Sequence, residues 1–193
     1  MQKIVILGSG KGSNARRIIE YFKQNNDIEV VALVSNKPRR GFLDISYDFR
    51  INLEIIKGEE LSDAKWLAHF KMMYRPDLII LAGYLKKIPL LFIEKFPGII
   101  LNLHPALLPK YGGYGMYGVH VHDAVIAGKE EYSGITIHLV NEQYDAGDIL
   151  FQKKVMLSKD ENSKSLAEKI HILEHNNLPI FIENYLNNKQ ETT

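Results

Sequence analysis

The sequence predicts a single α/β domain over residues 1–193, with a mostly parallel twisted sheet, a Rossmann-like N-terminal half and helices on both faces. Three observations lead there. Short apolar runs alternate with amphipathic stretches through the first hundred residues, the pattern of strands joined by crossover helices. A glycine-rich turn, Gly8-Ser9-Gly10-Lys11-Gly12, links the first apolar run to the first helical stretch. The length of 193 residues, 46% of them hydrophobic, fits one buried core.

The elements follow in order. Ile4–Leu7 reads as a buried strand, and Ser13–Phe22 as a helix that turns Ile18, Ile19 and Phe22 to one side. Val30–Val34 is a second strand, followed by a loop through Pro38, Arg39 and Arg40. A short helix over Leu43–Phe49 leads to a third strand at Leu53–Ile56. Ser62–Tyr74 is helical, with Pro76 beyond its end, and Leu78–Leu81 and Ile99–Leu103 are the fourth and fifth strands. Residues 104–118 interleave prolines, glycines and tyrosines, and an irregular loop of that length inside a compact domain is usually functional. A helix near 120–127 and strands at Ile135–Val140 and Ile149–Val155 come next. A closing helix is expected to start near Ser165, which has capping-box spacing to Glu168, and to kink or split at Pro179. Residues from Asn187 onward read as a frayed tail.

Composition removes several classes of function. Lys and Arg total 24 against 23 Asp and Glu, so no basic excess points to nucleic acid or an anionic membrane. Cysteine is absent, which excludes disulfides, thiolate metal sites and a thiol nucleophile. No apolar run approaches the ~18 residues of a membrane span. The run Ile4–Leu7 is too short for a signal-peptide core, so a cytoplasmic protein is expected.

The glycine-rich turn suits an anion, because a helix start offers free N–H groups and the positive end of its dipole. A dinucleotide fingerprint fails, since Ser13 stands where a third glycine belongs and no acid ends the second strand. A P-loop fails because Lys11 is followed by Gly12. A single phosphate, or a tight turn with no ligand, remains. Asn102-Leu103-His104-Pro105 closes the fifth strand, and alternation puts Asn102 and His104 on one side. An amide donor beside an imidazole suits a developing oxyanion, as in acyl or formyl transfer. The same histidine also suits a structural role on the following loop. Asp145, in the turn-rich Asn141–Asp148 stretch, would favour imidazolium if it met His104; as Asp-x-Gly it also reads as a plain turn.

Other polar groups carry less. His120 and His122 lack the i, i+4 spacing of a helical metal pair, and no metal is expected. Lys86-Lys87 reads as a solvated helix start, Arg39-Arg40 as a solvated loop that could meet an anion, and Trp66 as helix packing. His171 and Glu174 stand one helical turn apart and can face one direction.

Taken together, Gly10–Asn14, Leu81–Tyr84, Leu101–Lys110, Ser133–His138 and Tyr144–Asp148 resemble the folate-dependent formyltransferases, and within that group the members acting on glycinamide ribonucleotide. The similarity runs from residue 3 to about residue 185. It implies transfer of a formyl group from the co-substrate 10-formyltetrahydrofolate to the amine of glycinamide ribonucleotide in purine biosynthesis, without a metal, nucleic acid or membrane. On that resemblance Asn102, His104 and Asp145 are the catalytic residues. Gly12, Ser13 and Asn14 take the ribonucleotide phosphate, and His171, Ile172, Leu173 and Glu174 meet the amine substrate. Leu85, Lys86, Lys87 and Ile88, with Asn141, Glu142, Gln143, Tyr144 and Asp145, wall the folate, which Asn102 also touches. Residues of about 1–100 form the ribonucleotide-binding half, and about 101–186 the catalytic and folate-binding half.

The sequence departs from the family pattern at Tyr111–Gly118, a longer Tyr/Gly-rich stretch, and an arginine for the folate tail has no match before Asp77. His171 stands where the family also has glutamine. The competing readings are a formyltransferase for another small amine, such as an amino-sugar nucleotide, and a non-catalytic nucleotide-binding module. A methionyl-tRNA formyltransferase would carry a further C-terminal domain and basic character. A formyltetrahydrofolate hydrolase would carry an additional N-terminal domain.

Overall fold

A computed structural model describes residues 1–37, 40–57 and 59–190. Seven strands form one sheet in the order β3-β2-β1-β4-β5-β6-β7. Five of them, β1 (Gln2–Gly8), β2 (Ile28–Ser35), β3 (Asn52–Ile55), β4 (Leu78–Leu81) and β5 (Ile99–His104), run parallel. The last two, β6 (Tyr132–Leu139) and β7 (Ile149–Met156), pair antiparallel at one edge. The expected architecture is therefore present. Its boundaries differ by a residue or two at most strands, and the extra residue Val31 bulges β2 against β1, where Ile4 pairs with Val30 and Val5 with Ala32.

Strand alternation divides the core in two. Ile4, Ile6, Leu33, Ile80, Leu101 and Leu103 face one side, where they meet α1 (Ser13–Phe22), α2 (Arg40–Phe49), α5 (Val119–Ala127) and α6 (Ser163–Gln190). Val5, Leu7, Val34, Ile79 and Leu81 face the other, against α3 (Ala64–Tyr74) and α4 (Leu90–Lys95). Each such side chain, once fully buried, contributes roughly 1.5–3 kcal/mol. Trp66 does serve packing: its ring stacks on Phe70 with centroids 4.9 Å apart.

The closing helix departs from expectation in three respects. It starts at Ser163, two residues early, because Asn162 rather than Ser165 is the cap: Asn162 Oδ1 accepts from the N–H groups of Lys164 and Ser165 at 3.0 and 3.1 Å. Ser165 is the reciprocal member, its Oγ accepting from the Asn162 N–H at 3.1 Å. The helix also continues through Pro179 without splitting. Proline removes the N–H that the His175 carbonyl would accept, and Arg17 Nε supplies a donor to that carbonyl at 3.3 Å. Finally, α6 extends through Asn187 to Gln190, where fraying was expected; residues 191–193 lie outside the described residues. Arg39 also lies outside them, and Arg40 opens α2. No helix among the described residues is long and apolar enough to cross a membrane.

The topology selects a place for chemistry. From β1 the chain moves outward to β2 and β3, then returns across β1 to β4 and β5. The crevice at the carboxyl ends of β1 and β4 is the switch point where open α/β sheets bind ligands. The glycine-rich turn and the 82–88 segment follow these strand ends, and His104 closes the neighbouring β5.

Candidate active site

The site is built from the strand ends upward. Ser9, almost fully buried, ties the first two together: its N–H donates to the Gly83 carbonyl at 3.0 Å, and its Oγ accepts from the Leu85 N–H at 3.0 Å. Gly12 then caps α1 at φ +78, and a Cβ there would stand 2.6 Å from Ile45 Cδ1. Only glycine combines that left-handed backbone with that close approach. No side chain caps α1 and no acid lies in its first turn, so the first N–H groups at Ser13 and Asn14 are left to an incoming anion. Asn14 reaches across to α6: its Nδ2 donates to Glu174 Oε2 at 2.9 Å, while its own Oδ1 is buried without a protein partner. Glu174 in turn stands 3.7 Å from His171 Nδ1, and this carboxylate raises the His171 pKa. The two do face one direction, as their spacing allowed. Of the other two residues in that stretch, Ile172 is 61% exposed and Leu173 packs on the core, so neither side chain joins this polar set.

A second cluster gathers around Asp145. Asn102 and His104 close β5 opposite His138 and Thr136 of β6. Asp145 arrives from the β6–β7 turn with φ +54, a left-handed conformation rare for a non-glycine residue. Its Oδ1 accepts from Asn102 Nδ2 at 3.1 Å and its Oδ2 from the Gly113 N–H at 2.9 Å. His104 Nδ1 and His138 Nε2 each lie 3.5 Å from one of its oxygens. Burial alone would raise the Asp145 pKa; His104 and the Gly113 N–H outweigh it and hold the carboxyl well below the usual carboxylate range.

The hydrogens in this cluster can be assigned. His138 Nδ1 lies 2.7 Å from the Leu139 carbonyl. A carbonyl only accepts, so Nδ1 donates, and Nε2 accepts from Asn102 Nδ2 at 3.0 Å. Asn102 thus donates both amide hydrogens, to His138 and to Asp145, which fixes its orientation. His138 received no role in the sequence reading. Its signal was its place in a strand that pairs with β5, and that pairing joins residues 36 apart. Thr136 is a second such residue. Fully buried, its Oγ1 donates to the Ala106 carbonyl at 2.7 Å and accepts from the Leu108 N–H and from Gln152 Nε2, which pins the turn after His104.

The expected folate walls are partly apolar and partly open. Ile88 is buried in the core, Leu85 is partly exposed, and Lys86 and Lys87 are exposed on a loop ahead of α4 rather than at a helix start. On the facing segment Asn141 Oδ1 accepts from the Gln143 N–H at 2.9 Å, Glu142 and Gln143 are exposed, and Tyr144 meets Tyr114 edge-on at 6.1 Å between centroids. Tyr84 lies buried beneath, its hydroxyl without a protein partner; burial, then the nearby Tyr144, pushes its pKa up to about 12. On α5, His120 is exposed against Tyr117 and His122 is buried, its pKa lowered first by burial, with Glu174 and Asp123 opposing and His104 adding. Among the described residues no three His, Asp or Glu side chains are arranged to hold a metal ion.

Hydrogen-bonding side chains thus gather at the switch point of the α/β sheet, and the first turn of α1 leaves its N–H groups open. The chain belongs to the formyl transferase family, whose profile matches residues 2–182. It is 38% identical over 180 residues to the chloroplastic phosphoribosylglycinamide formyltransferase of Arabidopsis thaliana, covering 90% of this chain and 62% of that one. It is 30% identical over 198 residues to the phosphoribosylglycinamide formyltransferase of Bacillus subtilis, covering 99% of each. The crystal structure of the protein of that name from Bacillus halodurans superposes with a TM-score of 0.84 at 26% identity, over 96% of this chain and 95% of that one. The chain spans 62% and 57% of the length of the two plant relatives it matches.

Proposed function

We propose that the protein transfers the formyl group of 10-formyltetrahydrofolate to the amine of glycinamide ribonucleotide, a step of de novo purine biosynthesis in the cytoplasm. The names of the relatives and the family match support this reaction. The observation that carries it to named residues is the Asp145 cluster, in which one carboxylate organises an amide donor and an imidazole beside an open helix N-terminus.

The reading assigns the ribonucleotide to the first half of the chain, about 1–100, with its phosphate at Gly12, Ser13 and Asn14. Its amine end lies toward Glu174 and His171. The folate belongs to the second half, about 101–186, with Asn141–Asp145 as one wall and Leu85–Ile88, from the first half, as the other. The neutral amine attacks the formyl carbon, a C–N bond forms, and the carbonyl pair moves onto oxygen. Asn102 turns one amide hydrogen from the cluster to that oxygen, and protonated His104 supports the charge from Nδ1; each donor contributes on the order of 10²–10³ in rate. The proton lost by the attacking nitrogen passes by way of the His104–Asp145 pair to N10 of the folate. The C–N10 bond then breaks and tetrahydrofolate leaves. General acid–base help of this kind is worth about 10²–10⁴.

The test is a steady-state assay with 10-formyl-5,8-dideazafolate and glycinamide ribonucleotide, following release of the deformylated folate. Turnover that requires the ribonucleotide and is lost in Asn102→Ala and His104→Ala is the expected result. Deformylation that ignores the ribonucleotide would overturn the acceptor and point to another amine or to water. Binding of both substrates without transfer would mean a non-catalytic module.

A further inference from the structure

We propose that Tyr111 and Glu130 are positioning residues for the transfer step: Glu130 holds the Tyr111 phenol, and the Tyr111 backbone carbonyl fixes the ring and the tautomer of His104. This rests on the reading of His104 as the reactive imidazole. His104 Nε2 lies 2.8 Å from the Tyr111 carbonyl. That oxygen can only accept, so Nε2 carries a hydrogen whatever the charge of the ring. Nδ1, 3.5 Å from Asp145 Oδ2, is then the nitrogen at which a proton is gained or given up.

The carbonyl is held there from outside the site. Tyr111 has φ +58, a left-handed backbone that costs a non-glycine residue roughly 1–2 kcal/mol. Its phenol donates to Glu130 Oε1 at 2.8 Å, and Lys110 Nζ donates to the same oxygen at 2.9 Å. Hydrogen bonds from Lys110, then Tyr111, hold the Glu130 carboxyl below its ordinary range, so it is an anion at neutral pH. Gly128 provides the space: a Cβ there would overlap the phenol oxygen. Two residues beyond Tyr111, the Gly113 N–H donates to Asp145 Oδ2. One short backbone segment, residues 111–113, therefore sets both members of the His104–Asp145 pair, and its anchor is the Tyr111–Glu130 bond.

The experiment uses the full chain in two measurements. The first is a long-range 15N–1H correlation spectrum of the histidines without substrate, with His104 assigned by its loss in His104→Asn. The wild type is expected to show His104 with Nε2 protonated, and Tyr111→Phe and Glu130→Ala to show a mixture of tautomers. The second is steady-state kinetics. Both variants are expected to lose about tenfold in kcat with either KM changed by less than about twofold, as small misplacements of a reacting group do. Glu130→Gln still accepts from the phenol and is expected to keep most of kcat. A wild-type tautomer pattern with unchanged kcat in both variants overturns the proposal, as does a loss confined to KM or to thermal stability. Glu130 sits away from the site, so Glu130→Ala remains readable if Tyr111→Phe does not fold. Should the wild type fail to formylate the ribonucleotide, the functional reading falls, and the tautomer comparison still decides this one.

Discussion

Asn14 and Glu174, 160 residues apart, share a 2.9 Å hydrogen bond that joins the first turn of α1 to the middle of α6. The phosphate end and the amine end of the proposed acceptor site are thereby one structure: the residue beside the anion-ready N–H groups also orients the carboxylate that meets His171. Asn14→Ala removes that link and leaves the Glu174 carboxylate, 12% exposed, beside His171. The expected result is a rise in the ribonucleotide KM of about tenfold with kcat within about threefold, the pattern of lost ground-state binding. Kinetics with the ribonucleotide varied at saturating folate check it.

Gly12→Ala tests the turn itself. The substitution places a Cβ on a backbone at φ +78 and 2.6 Å from Ile45 Cδ1. Strain and overlap together are expected to cost roughly 2–3 kcal/mol, which corresponds to a fall in Tm of about 5–10 °C for a domain of this size. The ribonucleotide KM should rise as α1 shifts. Thermal unfolding of the two proteins, followed by circular dichroism, decides the first point.

Asp145→Asn separates charge from shape. The amide can still accept the Gly113 N–H, but it sets no negative charge beside His104 Nδ1. A loss in kcat of about 10²–10⁴ is expected with both KM values little changed. The pH dependence has a fixed sign. The folded-state pKa of Asp145 is depressed below the unfolded value of about 3.9, so its contribution to stability is complete well above that value. It is lost as pH falls toward the folded pKa, because the unfolded chain then binds more protons. Urea unfolding at pH 7 and pH 3.5 should therefore show the gap between wild type and Asp145→Asn narrowing on acidification. A gap that widens would contradict the assignment.

How far the sequence revealed this site depends on distance along the chain. The parallel strands were legible because burial on both faces makes them continuous apolar runs, as in Leu78–Leu81. Gly12, Asn102 and His104 were legible because they stand at strand and helix ends, where local spacing carries meaning. The resemblance, not any local signal, singled out Asp145, since Asp-x-Gly alone reads as a turn. The unread parts are long-range: the β6 register that brings His138 against Asn102, and the Asn14–Glu174 bond. The helix cap was misplaced because Asn162 and Ser165 act as a pair, and the Ser165–Glu168 spacing concealed it.

His138 gives the next prediction. Its Nε2 accepts one Asn102 hydrogen and its Nδ1 is fixed by the Leu139 carbonyl. His138→Ala leaves the Asn102 amide held by Asp145 alone, free to turn about its side-chain torsion. A fall of about ten- to a hundredfold in kcat is expected, with folate KM changed by less than about threefold. Loss in KM without loss in kcat would mean that His138 serves binding rather than orientation.

The contact between Arg17 and the His175 carbonyl explains how α6 tolerates a buried proline, and a double-mutant cycle can measure it. Within a helix, Pro179 forfeits the hydrogen bond to the carbonyl four residues back, and Arg17 Nε offers a substitute donor at 3.3 Å. Arg17→Met keeps most of the aliphatic stem but removes that donor, and is expected to destabilise the protein by about 1 kcal/mol. Pro179→Ala restores an N–H that can bond the same carbonyl. In that background Arg17→Met should cost clearly less, giving a coupling energy of about 0.5–1 kcal/mol between two residues on different helices. Equal costs in the two backgrounds would show that the arginine contact does not compensate for the proline. Urea denaturation of the four proteins provides all four free energies.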